Sequence, residues 1–165
     1  MTSAHSGYRC GWILALFLTL SVLLSACSDT SDTSPEIKVA IGNATTTLTP
    51  TLYCVDGEAH LADESTRTAA LEAAPDTAVA ISVPQQVADV GWTIQIWSVS
   101  DTDTGAVPLE QIGNVDAGTA REFDGFTTSD VVPNRYFVII ALPEDPDCNA
   151  QGSAGIWTLL VSRVG

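Results

Sequence analysis

Apolar residues recur at every second position over much of this chain. Ile37, Val39 and Ile41 alternate with Lys38 and Ala40, and Val79, Ile81 and Val83 alternate with Ala80 and Ser82, the period of a strand with one buried face. Over residues 92 to 99 the same parity puts Trp92, Ile94 and Ile96 on one face and Thr93, Gln95 and Trp97 on the other. Residues 156 to 163, IWTLLVSR, gather Trp157, Leu159 and Val161 on one side, while residues 135 to 142, RYFVIIAL, are apolar on both and predict a central strand covered on each side. Turn signals separate these runs at Gly42-Asn43, Asp56-Gly57, Pro75-Asp76, Gly113-Asn114 and from Pro143 to Gly155. Seven or so short strands with no long helical period predict an all-β fold, a two-layer β-sandwich of immunoglobulin-like topology. Residues 61 to 74, LADESTRTAALEAA, contain helix formers, yet Thr66, Thr68 and the Pro75-Asp76 turn favour a loop followed by an edge strand.

The N-terminus breaks the pattern. Residues 12 to 24, WILALFLTLSVLL, form an apolar run preceded by Arg9, too short for a spanning helix and shaped like a signal-peptide core. It ends in Leu24-Ser25-Ala26-Cys27, which resembles a bacterial lipobox. That resemblance implies diacylglycerol on the Cys27 thiol and cleavage just before it, with small Ser25 and Ala26 admitting the peptidase. Two acyl chains supply the double signal that stable anchoring requires. The expected organisation is a signal peptide over 1–26, a lipidated cysteine and polar tether over 27–35, and a β-sandwich domain over 36–165. Removing the signal leaves 20 acids against 5 bases, a formal charge of −15, which argues against nucleic acid, since phosphate contacts need Lys and Arg. An acidic domain favours a basic partner surface instead.

Of the 4 cysteines, Cys10 departs with the signal and Cys27 is consumed by lipid, so Cys54 and Cys148 have only each other. An oxidising compartment permits that disulfide, and closing so long a loop is worth about 4 to 5 kcal/mol in the chain-entropy limit. A soft-metal site would need more ligands than His60, the sole histidine after the signal, in a mature chain without methionine. No metal and no cofactor are expected.

Other chemistry is thin. No Gly-x-Ser-x-Gly elbow is present, and His60 lies in a turn-rich segment beside Glu58, where a solvated imidazole is the simpler reading. Asp101-Thr102-Asp103-Thr104-Gly105 imitates the opening of a calcium loop, but Ile112 stands at the twelfth position, where a bidentate Glu belongs. Glu144, Asp145 and Asp147 read as solvated loop charges. Trp97, beside Gln95 and Thr93 and opposite the apolar set, is the candidate contact point for a partner or a sugar.

Pro50-Thr51-Leu52-Tyr53-Cys54, the run SVPQQVADVGW from Ser82 to Trp92 and, more loosely, the closing strand around Trp157 resemble a family of uncharacterised envelope lipoproteins of mycolic-acid actinobacteria, a domain of unknown function. The resemblance implies a β-rich domain on the extracytoplasmic face of the cell membrane, lipid-anchored and turned toward the wall; it carries over no catalytic or binding residues. The expected function is a non-enzymatic interaction or accessory module, held to the membrane through Cys27 and meeting a basic envelope protein. The alternatives are a lipoprotein binding a small ligand or glycan and, more remotely, an envelope hydrolase using carboxylates.

Overall fold

A computed structural model of the chain describes residues 34–165 apart from 64, 67, 100–105, 132 and 150–151. The signal peptide, Cys27, the tether up to residue 33 and the calcium-like segment 101–105 thus lie outside the described residues. Eleven strands and one short helix are described: β1 (Ile37–Ile41), β2 (Ala44–Leu48), β3 (Leu52–Val55), β4 (Glu58–Leu61), β5 (Ala69–Ala73), β6 (Ala78–Ser82), α1 (Gln85–Val90), β7 (Trp92–Ser98), β8 (Val107–Val115), β9 (Glu122–Thr127), β10 (Arg135–Ala141) and β11 (Gly155–Arg163). They form two packed sheets, so the fold is the all-β sandwich that the period of two predicts. One sheet has the order β2-β1-β6-β9; the other runs β4-β3-β11-β10-β7-β8, with β5 also pairing β11.

Local rules explain the hairpins. Asp56 and Gly57 both have positive φ, 50° and 81°, the twist a two-residue turn needs between right-twisted strands, and they join Val55 to Glu58 across β3 and β4. Within segment 61–74, Leu61 closes β4 and Ala69–Ala73 form β5, an edge strand running parallel to β11 with Leu159 opposite Ala69 and Arg163 opposite Ala73. Beside it, β3 pairs antiparallel with the first residues of β11, at Gly155 and Ile156, so two strands share one edge of β11 in tandem. With β1, β6 and β9 facing β5-β11-β10-β7-β8, the connectivity is that of an immunoglobulin-like sandwich carrying β2 to β4 as an insertion.

The core is the sum of the two inward faces. Ile37, Val39, Ile41, Val79 and Ile81 come from the four-stranded sheet; Trp92, Ile94, Ile96, Tyr136, Val138, Ile140, Trp157, Leu159 and Val161 come from the other, and all are buried. Trp157 donates its Nε1 hydrogen to the Pro35 carbonyl at 2.9 Å and so pins the entry of β1. Phe123 meets Trp92 edge-on at a centroid distance of 6.4 Å. Cys54 in β3 and Cys148 in the β10–β11 loop form a disulfide with Cα atoms 6.1 Å apart, within the normal span. It staples a sheet margin to a loop, whereas an antibody domain bridges its two sheets through the core.

Two expectations need correction. The strand count exceeds seven because β2, β3 and β4, with sequences ATTTL, LYCV and EAHL, do not alternate branched apolar with polar residues as β1 and β6 do. Strand β10 is central, between β11 and β7, but it is not covered on each side: Phe137 and Ile139 on its outer face are only half-buried, while Tyr136, Val138 and Ile140 are fully enclosed. A six-residue helix also appears inside the run from Ser82 to Trp92, burying Val87 and Ala88.

Candidate functional site: the outer face of the seven-stranded sheet

Helix α1 ends at Gly91, whose φ of 83° lies in the left-handed region and whose absent side chain leaves room for the Val115 carbonyl, 2.9 Å from where a Cβ would stand. The chain then enters β7 with Trp92 turned inward. Parity does the rest: Ile94 and Ile96 follow Trp92 into the core, and Thr93, Gln95 and Trp97 emerge half-buried on the outer face. The Trp97 indole donates its Nε1 hydrogen to Gln95 Oε1 at 3.1 Å, which orients both side chains.

Neighbouring strands complete the face. Thr93 lies between Asn114 of β8 and Ala141 of β10, Gln95 between Gln111 and Ile139, and Trp97 between Pro108 and Phe137. Beyond β10 come Ile156, Thr158 and Leu160 of β11, opposite Ala141, Ile139 and Phe137. None of Thr93, Gln95 and Trp97 or their outward partners on β10 and β11 is charged, on a chain with 20 acidic residues; Arg135 of β10, opposite Ser162, stands just beyond Phe137. Asn114 donates to Asp116 at 3.3 Å, which places a carboxylate at the rim.

Gln111 arrives by a register shift. Simple alternation from Asn114 would turn Ile112 outward and Gln111 inward. The β7–β8 pairing instead slips between Ile94 and Gln95, so that Gln95 faces Gln111, while Ile112 packs against the core. This bulge sets two primary amides side by side and keeps an isoleucine off the surface. Over them lies an open concavity of about 620 Å³, lined by Thr93, Gln95, Trp97, Gln111, Asn114 and Ile139 among others.

Of the residues singled out from the sequence, Thr93, Gln95 and Trp97 thus come together, and Cys54 with Cys148 forms a separate staple. His60 is exposed on β4, and Glu144, Asp145 and Asp147 are exposed in the β10–β11 loop. Among the described residues no three His, Cys, Asp or Glu side chains are placed to hold a metal ion. Sequence reasoning missed Gln111, which the bulge presents, Asn114 and Leu160, which no pattern singled out, and Phe137, which it placed in a strand covered on each side. Perturbed titration occurs elsewhere. Burial pushes the Tyr136 hydroxyl up to about 12, with Arg163 lowering and Asp130 raising it, and burial also raises Tyr53; neither phenol lines this concavity.

Comparison with known proteins adds family membership. No curated protein and no solved structure matches the chain. A family model described as a protein of unknown function, DUF2771, matches residues 30–112, half of the 165. That span includes β1 to β7, with Thr93, Gln95 and Trp97, and most of β8; the chain belongs to this family of unknown function.

Proposed function

We propose that the chain is a lipid-anchored, non-enzymatic interaction module of the cell envelope, tethered through Cys27 on the extracytoplasmic side and working through the outer face of its seven-stranded sheet. The observation that carries the reading is that face itself. In a mature chain of formal charge −15, the outward positions of β7 from Thr93 to Trp97 and their partners on β10 and β11 carry no charge, Arg135 at the start of β10 being the first beyond them, and they present Trp97, Phe137, Ile139, Ile156 and Leu160 half-buried. Apolar area that folding does not enclose is what contact surfaces are made of, and aromatic residues dominate their energetics. Acids outside the face favour basic groups on whatever flanks the contact. The lipobox and the resemblance to envelope lipoproteins of mycolic-acid actinobacteria support the address.

Two measurements test this. Replacing Cys27 by Ala should move the protein out of the detergent phase on partition; unchanged partition removes the anchor. A photoreactive diazirine side chain at position 97 should capture an envelope component, protein or glycan, in intact cells, whereas the same group at Thr45, on the outer face of the other sheet, should not. Equal capture at both positions, or none at 97, defeats the proposed face.

A further inference from the structure

We propose that the ligand of this face is a neutral carbohydrate chain, seated over the β7–β8 half of the sheet on Trp97, Gln95, Gln111 and Asn114. The inference rests on the reading of the face as a contact surface and names its occupant. A pyranose or furanose ring presents two kinds of surface, a weakly apolar C–H face and an edge of hydroxyls that each donate and accept. A complementary site needs a flat apolar wall beside groups of mixed donor and acceptor character, and primary amides supply both from one planar head. The concavity has this division. Trp97 and Ile139 make the apolar part, while Gln95, Gln111, Asn114 and Thr93 border it on two adjacent strands.

The hydrogen-bonding capacity left open fits the same ligand. The Trp97 indole occupies Gln95 Oε1, so the Gln95 amide hydrogens remain to donate. Asn114 donates to Asp116 and keeps its own carbonyl oxygen to accept. Gln111 is exposed and makes no side-chain hydrogen bond with the described residues, so it can do both. With opposed amides on paired strands about 4.8 Å apart, adjacent hydroxyls of one sugar residue can be met together. Among the described residues that line the concavity there is no cation to receive an acidic sugar, and Asp116 stands at its rim, which is why the ligand is neutral. At about 620 Å³ and open to solvent, the space suits a few residues of a chain running through it.

The test uses the mature lipidated protein in detergent micelles, labelled with ¹⁵N and titrated at millimolar concentrations with soluble hexasaccharides of β-1,4-glucose, β-1,4-N-acetylglucosamine, α-1,6-mannose, β-1,4-galactose and α-1,5-arabinose. At least one sugar should shift the Trp97 indole N–H and the side-chain amides of Gln95, Gln111 and Asn114, leaving the Trp92 and Trp157 indoles unmoved. Gln111→Ala and Asn114→Ala should each weaken that binding about 3- to 10-fold, the worth of one hydrogen bond, and Trp97→Ala should remove it while the folded spectrum persists. If none of the five sugars moves these signals, the carbohydrate assignment falls. A protein captured at position 97 in cells together with silent sugars would overturn the assignment and leave the interaction module standing. No capture together with silent sugars would overturn both.

Discussion

The two outward faces of the sandwich are built on the same plan and filled differently. On the four-stranded sheet the outer face carries Lys38 and Ala40, Thr45 and Thr47, Ala80 and Ser82, and Glu122 and Asp124, around a concavity of about 790 Å³. Its central strands bear small side chains or the chain's only lysine, and its β9 edge bears carboxylates, all of which water satisfies. On the seven-stranded sheet the equivalent positions of β7, β10 and β11 hold an indole, a phenyl ring, branched aliphatics and an amide, and charge enters only beyond them, at Arg135 of β10 and Glu72 of β5. Folding requires only the inward faces, where both sheets are alike in Ile, Val and aromatic residues. An outer face is free of that demand, so the two can differ: one carries small, polar and charged side chains, and the other leaves an indole, a phenyl ring and aliphatics half-buried.

The sharpest break of this contrast lies within one strand. Trp92 and Trp97 both belong to β7, but Trp92 is 1 % exposed inside the core while Trp97 is half-buried on the outer face. Trp92→Ala should cost about 3 to 5 kcal/mol, the range for emptying a packed aromatic site, and Trp97→Ala clearly less. Melting temperatures of the two variants side by side decide it; equal losses would make Trp97 a folding residue and remove the reason for reading its face as functional.

Next in size is the staple. Replacing Cys54 and Cys148 together by Ser should cost about 2 to 5 kcal/mol, read by denaturant unfolding. Because β3 holds β11 through only Gly155 and Ile156, the loss should begin at that margin, with hydrogen exchange of β3 and β4 rising before that of β7 and β10. Uniform exchange across the sheet would instead make the bridge a global clamp.

The smallest effect concerns the interior. The Tyr136 hydroxyl is buried and makes no hydrogen bond with the described residues, so Tyr136→Phe should leave neutral-pH stability unchanged or raise it by up to about 1 kcal/mol. The native state holds its proton to about pH 12 and the unfolded chain only to the ordinary 10.0, so the native state binds more protons across that window. Wild-type stability should therefore fall as pH rises through it, and the Phe variant should lose that part of the decline. A Tyr136→Phe loss comparable to a core truncation would reveal a partner for the hydroxyl.

Much of this architecture is legible in the sequence because side-chain parity is a local property. Ile37, Val39 and Ile41, or Trp92, Ile94 and Ile96, declare their common face through spacing alone, and two unclaimed cysteines declare a bridge. Parity distinguishes two faces of a strand, but it does not say what lies across either of them. Residues 135 to 142 are apolar at nearly every position, yet only tertiary structure encloses Tyr136, Val138 and Ile140 and leaves Phe137 and Ile139 half open. The same holds for β3 and β5, which meet one edge of β11 from distant parts of the chain, and for the bulge that turns Gln111 toward Gln95 while Ile112 enters the core. A bulge is a one-residue slip between strands, so it leaves the hydropathy pattern of each strand intact while reversing which residues the surface receives. The sequence by itself thus determined the strands, their inner faces and the bridge; strand register, which depends on contacts between distant segments, decided the amide and aromatic group on the outer face.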